Sequence, residues 1–233
     1  MSSIEQKARD VSRPTLESVG RALARWNVSP DAVTYLGLLL TIGVAVLAAL
    51  GQIRWAGVAY IVAALCDALD GTLARVSGKG SRFGAFLDST IDRFEESIVF
   101  LGLSVYYARV VPGAWWGVWV VPLILVATVG SLMVSYTRAR AEGVGVECKA
   151  GFMTRPPRVA LLIVAMLLDL VPIGLAIIAV TSLLTTFQRM YYVWRTTGGD
   201  AGGWDPMGTS SPVPDPCAEQ QQPRQDDGEG DEA

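Results

Sequence analysis

Six long apolar stretches, joined by short polar connections, constrain this chain more than any other feature of its sequence. They lie at about residues 32–50, 55–75, 84–107, 115–136, 159–172 and 173–194. Most approach the roughly 20 residues that a helix needs to cross a bilayer, and the short fifth stretch can borrow residues from its flanks. With 51% hydrophobic residues and a mean hydropathy of +0.38, the chain is too apolar for an ordinary soluble domain. The pattern predicts an all-α, polytopic membrane protein with six transmembrane helices over residues 30–196.

Polar segments flank the six spans. Residues 1–29 are basic, yet apolar residues recur there at helical spacing, which predicts an amphipathic helix on the membrane surface or, alternatively, a helix packed on a partner. These residues are Leu16, Val19, Leu23 and Trp26. The segment has no apolar core followed by a small-residue cleavage site, so we expect no signal peptide. Residues 197–233 are rich in Gly, Pro, Ser, Gln and acids, and we expect them to be a disordered acidic tail.

The basic residues are distributed unequally between the two sides of the membrane. Six spans place both termini on one side, and almost all Lys and Arg residues fall on that side. The opposite connections contain only Arg54 and Arg109. The positive-inside rule therefore predicts a multi-pass protein of the cell membrane with both termini in the cytoplasm.

Four aspartates interrupt the apolar pattern. Asp67 and Asp70 lie in the last turns of the second span, and Asp88 and Asp92 lie near the start of the third. Spacings of three and four place each pair on one helix face. The second span runs toward the cytoplasm and the third runs back, so both pairs are expected at a similar depth on the cytoplasmic side.

Such a cluster needs a compensating charge. A charged residue in the middle of a membrane helix costs about 2.5–3.5 kcal/mol on insertion scales. Divalent cations compensate carboxylates well, and Mg²⁺ prefers oxygen ligands that it shares with phosphates. The 233 residues contain no histidine, so acid–base chemistry must use other groups. We therefore expect two Mg²⁺ ions per site, with Mn²⁺ as an alternative, and a phosphorylated substrate.

The sequence leaves several interpretations of the neighbouring charged residues open. Each aspartate pair could instead form ion pairs with a nearby arginine. Glu96 continues the face of Asp88 and Asp92 and could support the site, whereas Glu95 could pair near Arg93 or with another helix. Asp169 lies near the outer end of its helix and is expected to be solvated. A divalent-cation transporter would also place carboxylates within the membrane.

The segment from Asp67 to Asp92 matches every fixed position of D-x2-D-G-x2-A-R-x8-G-x3-D-x3-D. This pattern resembles the signature of the CDP-alcohol phosphotransferases, and the resemblance extends over about residues 14–195. It implies that a CDP-linked lipid, such as CDP-diacylglycerol, and an alcohol form a phosphodiester with release of CMP, usually in a homodimer and without nucleic acid.

The same resemblance implies roles for individual residues. Metal ligands are implied at Asp67, Asp70, Asp88 and Asp92, with Asp92 also the general base. Contacts to the CDP-lipid are implied at Asp31, Ala32, Val33, Thr34, Gly71, Arg75 and Ser81.

Later segments resemble the actinobacterial phosphatidylinositol phosphate synthases, whose acceptor is inositol 1-phosphate. The segments are 135–142, 151–158 and 188–189. The resemblance implies that Arg138, Arg158 and Arg189 bind the acceptor phosphate. Arg155 joins them because these arginines come from three helix ends on the cytoplasmic side, which suits a phosphorylated acceptor. Glycerol 3-phosphate, serine and neutral alcohols are the alternative acceptors.

Overall fold

The structure, a computed structural model, describes residues 29–77, 81–110, 117–148 and 151–197. These ranges form six α-helices and contain no β-strand, which confirms the all-helical prediction. The helices are α1 (Pro30–Ala49), α2 (Ile53–Ser77), α3 (Arg82–Val110), α4 (Gly117–Gly143), α5 (Arg155–Leu167) and α6 (Val171–Thr196).

The start of α1 follows directly from its sequence. The Ser29 hydroxyl accepts a hydrogen bond from the Ala32 N–H at 3.3 Å and caps the helix. Pro30 occupies the first helical position, where its missing N–H has no intrahelical acceptor. Serine and proline are residue types that favour these two positions at a helix start.

Helix α5 ends sooner than the sequence predicts. We expected a fifth span over about 159–172 and a minimal turn at Leu170–Pro172, and this boundary is wrong because the helix ends at Leu167. The turn is centred on Asp169, which takes a left-handed φ of 59°, and the Leu170 N–H donates to the Ala165 carbonyl at 2.8 Å. This arrangement closes a Schellman-type helix end. Pro172 therefore lies in the first turn of α6, where a proline is tolerated.

Small residues allow the helices to approach closely. A Cβ atom added to Gly102 of α3 would lie 2.7 Å from the Ala45 Cα of α1, closer than real Cβ contacts allow. A Cβ atom on Gly174 of α6 would lie 2.5 Å from the Ala165 Cβ of α5. Close backbone contact at small residues is the usual way in which membrane helices associate.

Large apolar side chains are exposed on the surface of the bundle as well as buried in its core. Val44, Leu103 and Leu175 are fully buried, whereas Leu101 and Trp119 are 64% and 70% exposed. An apolar exterior of this kind fits a lipid environment better than water.

Four described helices are long and apolar enough to cross a membrane: Asp31–Ala49, Ile53–Leu73, Trp119–Gly143 and Val171–Thr196. Helix α3 carries several acidic residues, and α5 has only 13 residues, or about 20 Å of helix. Six membrane spans therefore stay a prediction, as does the division at residues 29 and 197. The expected amphipathic helix and acidic tail lie outside the described residues, apart from Ser29 and Thr197.

Candidate active site

The acidic residues of α2 and α3 meet at one end of the bundle. One carboxylate oxygen from each of Asp67, Asp92 and Glu95 lies within 4.8 Å of the other two. Glu95 follows Asp92 by three residues, so both side chains leave the same side of α3. The structure therefore joins one member of each predicted aspartate pair and adds Glu95 to them.

Asp70 connects this cluster to α1. It is 3% exposed, and its Oδ2 accepts a hydrogen bond from the Thr34 hydroxyl at 2.9 Å. Its Oδ1 accepts the Gly71 N–H at 2.5 Å. Asp88 lies one turn before Asp92 on α3 and is partly buried. The four aspartates thus occupy one region that α1, α2 and α3 share.

The guanidinium of Arg155, at the start of α5, lies among the carboxylates. Its Nη1 pairs with both Asp67 and Asp92, and its Nη2 donates to Glu95 Oε2 at 2.7 Å. Burial lowers the pKa of Arg155, but the surrounding carboxylates outweigh burial and raise this pKa above its ordinary value. Arg155 is therefore a permanent cation that offsets only part of the negative charge.

Two carboxylate oxygens in the cluster lack hydrogen bonds within the described part of the chain. Asp67 Oδ1 and Glu95 Oε1 are buried, and neither has a hydrogen-bond partner among the described residues. Burying a polar atom without a partner is costly. The donor set consists of carboxylate oxygens alone, which suits Mg²⁺ or Mn²⁺ rather than zinc. These residues fit a divalent cation.

The residues implied for the CDP-lipid come from the helix ends around this cluster. Ser81 caps α3 and accepts the Gly84 N–H at 2.8 Å. A Cβ atom on Gly84 would lie 3.1 Å from Ser81 Oγ and 3.3 Å from Asp31 Oδ1, so Ser81 and Asp31 meet there. Gly71 has open space where a side chain would be. Arg75 is exposed and donates to the Gly71 carbonyl at 3.0 Å.

Two further members of this set differ in accessibility. Ala32 is exposed at the start of α1, whereas Val33 is 7% exposed and packs into the protein.

The remaining arginines have separate partners. Arg138 is exposed and pairs with Glu142 at 2.9 Å. Arg158 is 1% exposed and donates two hydrogen bonds of 2.8 Å to Glu96. Arg189 is buried and donates to the Val134 carbonyl.

Two of these arginines nevertheless lie near the third. Arg189 lies within electrostatic range of both Arg138 and Arg158. Arg155 differs from them because it lies among the carboxylates.

The sequence left the roles of Glu95 and Glu96 open, and the structure separates them. Glu95 joins the aspartate cluster, whereas Glu96 pairs with Arg158. Glu95 lies seven residues after Asp88 and three after Asp92, a spacing that follows one helix face. That spacing was the available signal for Glu95. Asp169 is exposed, as predicted.

A helical bundle with a carboxylate cluster at one end fits a membrane protein that binds a divalent cation. Residues 27–188 match the CDP-alcohol phosphatidyltransferase family, and the chain belongs to this family. It is therefore an enzyme of the CDP-alcohol phosphatidyltransferase class. Family membership favours an enzyme over the cation transporter that the sequence left open.

The chain is similar to two synthases of inositol phosphate lipids. The chain is 38% identical over 186 residues to the archaetidylinositol phosphate synthase of Pyrococcus horikoshii, covering 79% of this chain and 94% of that protein. It is 35% identical over 205 residues to the phosphatidylinositol phosphate synthase of Mycolicibacterium smegmatis, covering 81% and 86%.

The structure is also similar to solved structures of a phosphatidylinositol phosphate synthase. The Mycobacterium tuberculosis phosphatidylinositol phosphate synthase with CDP-DAG bound has a TM-score of 0.69 and 32% identity, over 77% of this chain and 93% of that one. The same enzyme in complex with manganese and citrate has a TM-score of 0.70 and 32% identity, over 77% and 88%. The chain is thus similar to phosphatidylinositol phosphate synthases.

Proposed function

We propose that this enzyme transfers a phosphatidyl or archaetidyl group from a CDP-linked lipid to inositol 1-phosphate and releases CMP. The main observation behind this proposal is that Asp67, Asp92 and Glu95 converge at one end of the bundle. Arg155 lies among them. The carboxylates suit a metal ion that binds the pyrophosphate of the donor, and the positive charges suit a phosphorylated acceptor. The relatives named for inositol phosphate lipids support this choice of acceptor.

Four aspartates hold the divalent metal in this proposal: Asp67, Asp70, Asp88 and Asp92. The proposal has two Mg²⁺ ions per site, with Mn²⁺ as the alternative, and the oxygen-only donor set supports this type of metal. Bound metal would neutralise charge on the pyrophosphate and stabilise the departing CMP. The Thr34 hydroxyl fixes Asp70, so that its carboxylate is oriented before substrate arrives.

The nucleotide is bound by the helix ends beside the cluster. The contact residues are Asp31, Ala32, Val33, Thr34, Gly71, Arg75 and Ser81. Gly71 allows close approach because no side chain occupies its position. Arg75 is exposed and offers donors to a phosphate.

Asp92 is the general base. It takes the proton from the acceptor hydroxyl, whose oxygen forms a new bond to the lipid-linked phosphorus. The bond from that phosphorus to the CMP oxygen breaks, and CMP leaves with the electron pair. The ion pair with Arg155 favours the ionised form of Asp92, which is the form that can accept the proton. General base catalysis of this kind contributes about 10²–10⁴-fold to the rate.

The acceptor phosphate is bound by Arg138, Arg155, Arg158 and Arg189. Arg138 is the accessible member and can exchange Glu142 for phosphate at little cost, because exposed ion pairs are weak. Arg158 and Arg189 are buried and provide fixed positive charge beside it. A phosphorylated acceptor therefore suits these arginines better than a neutral alcohol.

The membrane arrangement is part of the proposal. Six spans over residues 30–196, a surface helix within residues 1–29 and a solvated tail from 197 place the site and both termini in the cytoplasm. The distribution of Lys and Arg supports this orientation. The homodimer rests on the family resemblance alone.

Product analysis tests the reaction. The purified protein in detergent, with Mg²⁺ and CDP-diacylglycerol, is given inositol 1-phosphate, glycerol 3-phosphate or unphosphorylated inositol in separate reactions. We expect CMP release and a new phosphoinositide lipid with inositol 1-phosphate only. Product with glycerol 3-phosphate instead would reassign the acceptor, and no CMP release with any acceptor would reject transfer of a phosphatidyl group.

Replacing the base tests the mechanism. Asp92→Asn should lower turnover by about 10²–10⁴-fold, while CDP-diacylglycerol still raises the thermal midpoint of the variant. Turnover equal to that of the wild type would reject Asp92 as the base.

A further inference from the structure

Glu95 lies outside the family signature, yet the structure places it in the carboxylate cluster. One of its oxygens lies within 4.8 Å of oxygens from Asp67 and Asp92. The residue is only 3% exposed. Protein contacts rather than solvent therefore fix the direction of its carboxylate.

The two oxygens of Glu95 have different surroundings. Oε2 accepts a hydrogen bond from Arg155 at 2.7 Å. Oε1 is buried and has no hydrogen-bond partner in the described part of the chain, and the same holds for Asp67 Oδ1. Buried acceptors are nearly always satisfied in folded proteins, so these atoms mark a place where a ligand belongs.

Both of these oxygens lie near Gly37 of α1. A Cβ atom at position 37 would lie 3.3 Å from Glu95 Oε1 and 3.9 Å from Asp67 Oδ1. The carboxylates of Asp67 and Glu95, which have oxygens within 4.8 Å of each other, repel unless positive charge lies near both. Arg155 satisfies the other oxygen of each carboxylate and leaves these two unsatisfied.

We propose that Glu95 is a further ligand of the divalent-metal centre, which binds the cation through Oε1 while Oε2 keeps Arg155. This inference rests on the metal-dependent transferase function proposed above and adds a residue to its metal centre. When metal binds Asp67 and Asp92, Oε2 of Glu95 still accepts the hydrogen bond from Arg155. The guanidinium then stays beside the reacting phosphates.

A simpler role for Glu95 makes different predictions. If Glu95 only holds Arg155, removal of either partner should change metal affinity in the same direction. If Glu95 binds metal, its removal weakens metal binding. Removal of Arg155 then strengthens metal binding, because Arg155 is a cation that competes for the same carboxylates.

Mn²⁺ binding to the purified, substrate-free protein in detergent tests the proposal, with the electron paramagnetic resonance signal of free Mn²⁺ as the readout. We expect Glu95→Gln to weaken binding about 10–100-fold. We expect Glu95→Asp, which keeps the charge but withdraws the oxygens by one methylene, to weaken it about tenfold or more. Arg155→Gln should bind Mn²⁺ more tightly than the wild type.

Glu96→Gln is the matched control, because Glu96 is the neighbouring glutamate, is equally buried and pairs with Arg158 instead. Its Mn²⁺ affinity should equal that of the wild type. Glu142→Gln, at an exposed position, repeats the control if Glu96→Gln does not fold. Thermal unfolding and size-exclusion profiles identify the folded variants.

Wild-type affinity in Glu95→Asp would overturn the ligand role, because charge alone would then suffice. Weaker binding in both Glu95→Gln and Arg155→Gln would also overturn it, as would a wild-type protein that binds no Mn²⁺. Transferase activity is measured separately on the wild type. An inactive protein that still shows the expected Mn²⁺ series would reject the proposed function and leave Glu95 as a metal ligand.

Discussion

Replacing Arg158 by methionine removes one half of a buried ion pair and leaves the other half in place. Arg158 is 1% exposed and Glu96 is 6% exposed. The Nε and Nη2 atoms of Arg158 each donate to a different Glu96 oxygen at 2.8 Å, and Nη1 donates to the Met153 carbonyl at 3.1 Å. Methionine fills much of the same space, so the main effect is the loss of charge compensation.

Breaking a buried ion pair in this way costs about 3–5 kcal/mol, because one charge stays buried without a partner. Two charge-assisted hydrogen bonds of about 1.5–3 kcal/mol each give about 3–6 kcal/mol, which overlaps this range. For a protein of this size, about 2–4 °C of thermal midpoint corresponds to each kcal/mol. Arg158→Met should therefore lower the midpoint by about 6–20 °C.

Tryptophan fluorescence during heating, in one detergent and at one pH, measures this midpoint. Two controls accompany the variant. Arg138→Met breaks the exposed pair with Glu142 and should cost less than about 1 kcal/mol. The double variant Arg158→Met with Glu96→Leu removes both buried charges and should recover most of the lost stability.

Equal destabilisation by Arg158→Met and Arg138→Met would refute this reasoning, and so would a double variant no more stable than the single one. The double variant also tests the acceptor role. A folded protein without Arg158 should show a raised KM for inositol 1-phosphate and an unchanged KM for CDP-diacylglycerol. An unchanged KM for both substrates would make Arg158 purely structural.

Three further predictions concern other parts of the chain. Gly102→Ala should destabilise the protein strongly because its Cβ would lie 2.7 Å from the Ala45 Cα, whereas Gly43→Ala, with nothing within 4 Å, should leave the thermal midpoint unchanged or raise it. Equal midpoints for the two variants would contradict the close contact of α1 and α3. Asp169→Gly should raise stability by about 1 kcal/mol because glycine accepts the left-handed φ of 59° without strain; a lower midpoint in thermal unfolding would count against this. Deleting residues 200–233 should leave CMP release unchanged, and a large loss of activity would assign the tail a role in the enzyme.

The helices and the aspartates could be predicted because their signals are local. Apolar stretches are recognised by counting residues. The helix start at Ser29–Pro30 is recognised from residue types that favour a cap and a first helical position. The aspartate pairs needed only helical spacing and the short connection between α2 and α3. The end of α5 was predicted wrongly because Asp169 replaces the glycine that usually marks such a turn.

The partners of the arginines could not be predicted in the same way. Arg155 pairs with Asp67 across 88 residues of sequence, and Arg158 pairs with Glu96 across 62. Arg155 and Arg158 are neighbours on α5 and carry the same charge. No local pattern decides which of them enters the aspartate cluster and which pairs with Glu96.

The sequence by itself determined the class of protein, the four aspartates and the family signature, because each depends on residue type and on spacing along one or two helices. Tertiary structure decided that Glu95 and not Glu96 joins the cluster. It also decided that Arg155 lies among the carboxylates while Arg158 is buried in an ion pair. The physical reason is that α5 packs against α2, and its rotation and depth there set which guanidinium reaches which carboxylate.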